Sequence, residues 1–337
     1  MLKQLIITVC AMVLLLACRQ KQPQQAVQTE PRQQPVQVIF DTDMGPDYDD
    51  VGAITLLHYF EHTGKAKILA TIASTKYPRV VPVLNVLNTY FKKPDIPIGV
   101  PKGDALTTPD WQFWSDTLVK KYPHSLKSNN DAPYAVELYR KILAAQPDTS
   151  VTIITVGFFN NIAGLLRSGA DKYSPFTGPQ LIDKKVKKMV SMAGKFPSGR
   201  EFNIDEQATE SKYVFEHWKK PVILSGYEIG ANIFTGLPLV NNDRIQNSPV
   251  KDVFRICIPQ AKEDSTGRKS WDQTAVLVGV LGTSPFYTLQ RGTMKVSNDG
   301  ENSWVNDKGN HYYLVEKQSP KEVEKLINDM MMYQPDK

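Results

Sequence analysis

A short apolar run, Val36–Phe40, leads into five aspartates within ten positions (Asp41, Asp43, Asp47, Asp49 and Asp50), and an apolar helical pattern follows at once. Like charges packed this densely repel, and burying even one unpaired carboxylate costs several kcal/mol. The strand that delivers them is apolar enough to be buried on both faces of a sheet, and Gly45-Pro46 bends the chain between the acids. In open α/β sheets, ligands sit at such strand ends. A hard divalent cation relieves the repulsion, because it takes carboxylate oxygens as ligands. The bland alternative is a solvated acidic turn in which Asp49 or Asp50 only caps the helix. The stretch is read as a metal site.

Residues 1–18 read as a leader outside the fold: Lys3 opens it, Leu5–Leu16 is too short to span a bilayer, and Ala17 precedes Cys18. Leu15-Leu16-Ala17-Cys18 resembles the lipobox of bacterial lipoproteins, which implies lipidation at Cys18 after cleavage. Residues 19–35 are rich in Gln and Pro and nearly devoid of large apolar side chains, as in a flexible tether. The expected arrangement is a lipid-anchored protein on a bacterial membrane, facing the periplasm or cell exterior. Of Cys10, Cys18 and Cys257, only the last would remain free, which leaves no disulfide framework and no thiolate metal site. Cys257 sits in an apolar stretch and reads as core.

Net charge is +5, but Lys3, Arg19, Lys21 and Arg32 against Glu30 place +3 of it in residues 1–35, leaving +2. A charge so small argues against nucleic-acid binding, and the basic run Lys184–Lys188 reads as a solvated edge. The remaining 36–337 has neither an obvious linker nor a repeat, as expected of one large domain. Its strands are expected at 67–74, 94–101, 150–156, 186–192 and 221–225. Helices are expected at 80–91, 131–145, 160–166, 205–218, 249–261, 271–281 and 320–332. Residues 288–296 and 312–316 read as a hairpin around Asn298-Asp299-Gly300, and 103–130 as a long loop carrying Trp111, Phe113 and Trp114. Strands alternating with helices predict an α/β fold, a mostly parallel, mixed central sheet flanked by helices.

Asp41–Asp50 (D-T-D-M-G-P-D-Y-D-D) resembles the N-terminal signature of the inosine–uridine preferring nucleoside hydrolases, whose commoner form, D-x-D-P-G-x-D-D, is two residues shorter. Gly157–Ala163 (G-F-F-N-N-I-A) is similar to the family's G-x-L-T-N-I-A. M-A-G…E-F-N, from Met192 to Asn203, resembles its M-G-G…E-F-N, and Ser270-Trp271-Asp272 falls where a late Asp supplies the last metal ligand. The resemblance implies a Rossmann-like nucleoside hydrolase fold and calcium held by Asp43, Asp50, Asp272 and the backbone carbonyl of Val156. Either Asp47 or Asp49 would take a remaining carboxylate place, with Asp41 behind them orienting its neighbours. Met192, Glu201, Asn203 and Trp271 match substrate-contacting positions. Two departures concern the substrate: Trp271 stands where many members have His, and Thr75 where a ribose-contacting Asn is usual.

The implied reaction is calcium-dependent hydrolysis of the N-glycosidic bond of a ribonucleoside or related riboside, with Asp43 as the general base toward water. An indole N–H donates but does not titrate, so the leaving base would be stacked on Trp271 or protonated by another group such as Tyr227 or Glu228. Substrates would be small molecules, and no protein partner is expected beyond self-association. Three other readings compete. His58-Tyr59-Phe60-Glu61-His62 fits an inverted zincin motif, and F-D-T-D resembles haloacid-dehalogenase phosphatases, with Asp41 as nucleophile. The third is a lipoprotein that binds a nucleoside or sugar through calcium without cleaving it.

Overall fold

The computed structural model describes residues 34–335. The expected leader, Cys18 and the tether up to residue 33 lie outside the described residues. Among the described residues no helix is long and apolar enough to cross a membrane.

The strands are β1 (Val36–Thr42), β2 (Ala66–Ala73), β3 (Ile98–Gly99), β4 (Val151–Thr155), β5 (Val186–Met192), β6 (Ser198–Gly199) and β7 (Val222–Ser225). After these come the short β8 (Phe234–Thr235) and β9 (Arg268–Lys269), then β10 (Tyr287–Val296), β11 (Asn302–Val305) and β12 (His311–Glu316). Apart from the β8–β9 ribbon they form one sheet in the order β3-β2-β1-β4-β5-β7-β12-β10-β11-β6. Pairing is parallel from β3 to β12 and antiparallel through β10, β11 and β6. The strand order reverses between β1 and β4, and a parallel sheet binds ligands at the carboxyl ends of its strands at such a point.

Helices cover both faces. Alternation along β1 sends Val38 and Phe40 into one core and Ile39 into the other, the period-2 signature of a strand buried on both sides. The first core is closed by α1 (Asp49–His62), α2 (Val80–Tyr90) and, later in the chain, the helices at Pro249–Cys257, Trp271–Leu281 and Pro320–Met331. The second lies beneath the helices at Ala135–Ala144, Asn160–Arg167, Gly178–Lys185 and Ala208–His217. α1 is buried almost all round because it lies between the sheet and the helix at Trp271–Leu281. A Cβ on Gly52 would stand 2.3 Å from Gln273 Nε2, so a glycine at this crossing lets the two helices approach.

Most expected elements occur, and those at 186–192 and 271–281 keep their bounds. Three differ. The stretch expected as a 103–130 loop holds a helix, Trp114–Lys121, started by the Asp110 carboxylate, which accepts from Ser115 N at 2.7 Å. A helix at Gly178–Lys185 had no counterpart in the reading of the sequence, and the basic run divides between its end and β5. The turn at 298–300 joins β10 to β11, so β12 pairs with β10 across a longer excursion.

Register sets Asp41 of β1 opposite Thr155 of β4, so Asp43 emerges beside Gly157, the residue after Val156. Gly157 makes this approach possible: an added Cβ would lie 2.4 Å from Asp43 N and 2.5 Å from Ser74 Oγ. Gly157→Ala should therefore lower stability by about 1–3 kcal/mol through overpacking against backbone that cannot yield. Urea denaturation measures this, and an undiminished midpoint would mean that the two strand ends are not so tightly apposed.

Candidate metal centre and active site

Beyond β1 the acids are distributed by the turn that leads into α1. Asp49 and Asp50 occupy the first turn of α1, where negative charge meets the positive helix end. Asp272 does the same at the start of the helix Trp271–Leu281. Ligand oxygens of Asp49, Asp50 and Asp272 lie within 4.8 Å of one another. Asp43 and Asp47 join them in the wall of a cavity of about 330 Å³, together with Val156, Met192, Glu201, Asn203, Tyr227 and Trp271. Residues far apart in sequence thus converge at the carboxyl ends of β1, β4 and β5.

Electrostatics there are severe. Burial, with Asp50 and Asp47 close by, holds the Asp43 carboxyl well above the usual range. Burial and the neighbouring Asp49 and Asp50 do the same to Asp272. Burial and Asp47 push Asp50 up to about 7, against the opposing hydrogen bond from the Thr42 hydroxyl to Asp50 Oδ1. The other oxygen, Asp50 Oδ2, is buried and has no hydrogen-bond partner. Buried polar atoms are nearly always partnered. An orphaned carboxylate oxygen among other carboxylate oxygens suits a hard divalent cation, and the wholly oxygen donor set suits calcium or magnesium.

Asp47 and Asp49 stand differently. Arg268, on β9, bonds to Asp47 and donates to Asp49 Oδ1 from Nη2 at 3.0 Å. Asp49 Oδ2 accepts the backbone N–H groups of Trp271 and Asp272, at 3.1 and 3.2 Å. Burial raises the Asp47 carboxyl, yet Arg268 together with hydrogen bonds from Asp49 and from the backbone N–H groups of Tyr48 and Asp49 outweighs it and leaves that group below its ordinary value. Asp41 does not line the cavity: its Oδ2 accepts from Tyr139 Oη at 2.8 Å and Asn161 Nδ2 at 3.1 Å.

The opposite wall is built by the turn after β5. Glu201 Oε2 accepts from Gly194 N and Oε1 from Asn203 N, each at 2.9 Å, and burial pushes its carboxyl up to about 7. Asn203 Nδ2 donates to the carbonyls of Val156 (3.2 Å) and Met192 (3.1 Å), which leaves its Oδ1 as the free polar atom. Trp271 Nε1 donates to the Tyr227 carbonyl at 2.8 Å, and the two rings lie 5.4 Å apart at 34°. The indole therefore offers the cavity a face and no free proton donor. Thr75 is bound into the neighbouring loop, donating to the Leu106 carbonyl at 2.9 Å.

Neither motif-based competitor finds a site. His58 is buried, stacked on Phe91, 3.0 Å from Asn88 Oδ1, and burial pushes its imidazole down to about 3. Among the described residues the one group of three or more candidate ligands is Asp49, Asp50 and Asp272. Cys257 is free and buried. Arg268 and Phe202, both in the cavity wall, were not singled out from the sequence. Five clustered acids did signal that some cation must face them, but nothing marked which one.

The sequence model of the family described as "Inosine-uridine preferring nucleoside hydrolase" matches residues 38–326. No curated protein matches the chain significantly. Among solved structures, a plant nucleoside hydrolase is 18% identical, with a TM-score of 0.67 over 88% of this chain and 99% of that one. The inosine-uridine preferring nucleoside hydrolase of Bacillus anthracis is 13% identical, with a TM-score of 0.67 over 88% and 99%. The purine-preferring ribonucleoside hydrolase of Gardnerella vaginalis is 17% identical, with a TM-score of 0.67 over 88% and 98%. These likenesses bear out the expected mixed α/β architecture, and the match across most of the sequence settles kinship: the chain belongs to the inosine-uridine preferring nucleoside hydrolase family and is a hydrolase acting on N-glycosyl bonds.

Proposed function

We propose that this enzyme hydrolyses the N-glycosidic bond of a ribonucleoside or related riboside with calcium held by Asp43, Asp50, Asp272 and the Val156 carbonyl. The observation that carries the reading is the partnerless Asp50 Oδ2, buried among carboxylates at the base of a cavity. When bound, the ion supplies Lewis acidity, a water of lowered pKa and an anchor for vicinal hydroxyls.

The remaining chemistry belongs to the chain. Asp43, to which no other described side chain donates a hydrogen bond, takes a proton from the attacking water. As the water oxygen bonds to the anomeric carbon, the C–N pair leaves with the base and positive charge develops on the ribosyl ring. Carboxylates fixed nearby favour that charge without reorganising. Both Glu201 oxygens, already fixed by backbone N–H groups, keep lone pairs for ribose hydroxyls, and Asn203 Oδ1 is a further acceptor. Met192 walls the sugar from the sheet side.

Trp271 and Tyr227 present ring surface for a flat base. Of the two groups considered for protonating the leaving base, Tyr227 lines the cavity and is 37% exposed. Glu228 does not line it, and its Oε2 accepts from Phe196 N at 3.2 Å. The reading therefore favours Tyr227. The leader and Cys18 support a location outside the cytoplasm on a lipid anchor.

Two outcomes test this reading. Purified protein incubated with a panel of ribonucleosides should release free ribose, lose that activity with excess chelator, and regain it with calcium. Asp43→Asn should fold normally yet turn over about 10²–10⁴-fold more slowly, so wild-type turnover in the variant would reject Asp43 as base. Stability should also respond to pH. Burial raises Asp50 and Glu201 to about 7, so the folded state keeps protons that the unfolded chain loses near pH 4. In chelator, unfolding free energy should fall by at least about 2 kcal/mol between pH 4 and 7. Calcium at about 100 times its Kd should restore about 2.7 kcal/mol. Stability that rises with pH in chelator would contradict the buried-acid account.

A further inference from the structure

We propose that Arg268 is the internal counter-ion of the metal centre, a positioning residue that withdraws Asp47 and Asp49 from the ion and holds cation affinity down. This inference rests on the proposed calcium site. Arg268 is fixed from several directions. Its strand β9 pairs with β8, and its side chain is 13% exposed. The guanidinium lies over the rings of Tyr48 and Trp271, with centroids at 4.9 and 5.2 Å. Besides its bonds to Asp47 and Asp49, Nη1 stands 3.7 Å from Asp264 Oδ2. A planar fork clamped between two rings cannot swing away as a lysine would.

The five acids of the cavity therefore divide by partner. Asp47 is held by Arg268 and by Tyr48 N, the latter at 2.7 Å. Asp49 gives one oxygen to Arg268 and the other to two backbone N–H groups, so both are engaged although one lies within 4.8 Å of oxygens of Asp50 and Asp272. Among the described residues Asp43, Asp50 and Asp272 have no cation within ion-pair distance, the Arg268 pairs being to Asp47, Asp49 and Asp264, and Asp50 Oδ2 has no hydrogen-bond partner. Three carboxylates face a divalent ion with one negative charge in excess, and the other two cavity acids face Arg268, which Asp264 also approaches from outside the cavity. Without Arg268 all five would face the ion, a set that favours tighter and more highly charged cations. A fixed positive charge within contact of a ligand's neighbour weakens cation binding by simple Coulomb repulsion.

The test is calcium titration by calorimetry on chelator-stripped protein, with terbium luminescence excited through Trp271 as a second readout. Wild type should bind calcium, and Asp50→Asn should lose at least about 100-fold in affinity. If wild type binds none, the calcium reading fails and the role of Arg268 fails with it. Given binding, Arg268→Met should bind calcium at least tenfold more tightly and favour terbium more strongly still. Arg268→Lys, which keeps the charge, should stay within about threefold of wild type, and Asp47→Asn within about tenfold. Unchanged or weaker binding by folded Arg268→Met would overturn the inference while leaving the calcium site standing. So would a loss of 100-fold or more in Asp47→Asn, which would make Asp47 a ligand. Thermal melts with and without calcium establish that each variant is folded, and if Arg268→Met does not fold, Arg268→Gln, which also removes the charge, is titrated in its place with the same outcomes.

Discussion

Crowding of negative charge where two parallel strands end is the constraint on which the rest of the structure turns. Asp43, Asp47, Asp49, Asp50 and Asp272 share one cavity wall, and such proximity is unfavourable unless something answers each charge. Every device around the site supplies part of that answer. The start of the helix Trp271–Leu281 lends two N–H groups to Asp49, Thr42 lends a hydroxyl to Asp50, and Arg268 lends a guanidinium to Asp47 and Asp49. What remains unanswered is chiefly the partnerless oxygen of Asp50, in an acidic group that could hold a metal ion.

The scaffold makes this tension sustainable. β1 is buried on both faces and paired on both edges, so its end cannot relax away from β4. Gly52 and Gly157 are the places where bulk is withheld: one lets the helix bearing Asp272 approach α1, the other lets the backbone of Asp43 lie against β4. Rigid elements hold charged groups in place better than loops do, and preorganisation is what an electrostatic site needs. The opposite wall follows the same logic, with Glu201 bound at both oxygens by main-chain N–H groups before any substrate arrives.

Much of this was legible in the sequence because it rests on local pattern. The apolar runs that became β1, β2, β4 and β5 carry their own signature, as does the helix opening on Trp271. Convergence of Asp272 on the early acids was expected only by resemblance, since periodicity says nothing about partners two hundred residues away. The helix at Trp114–Lys121 was hidden because it buries little more than Trp114, Ser115 and Leu118 and takes its start from an acid four residues earlier. Arg268 was invisible for a different reason. A single arginine beside Lys269 in a polar stretch is indistinguishable from a surface charge until folding sets it between two rings and two carboxylates. Likewise, Trp271 read as an unmatched substitution, whereas its N–H is committed to the Tyr227 carbonyl.

Asn203 links the two halves of the cavity. One amide nitrogen grips the carbonyls that follow β4 and end β5, and the remaining oxygen belongs to the same planar group. A planar amide cannot turn one end without turning the other, so a sugar that pulls on the oxygen also shifts the pull on the Val156 carbonyl. Under the proposed function, with an ion on the Val156 carbonyl and a sugar on Asn203 Oδ1, affinity for one guest would depend on occupancy by the other, and linkage would make the dependence mutual: the order of arrival would change the path but leave the final free energy the same.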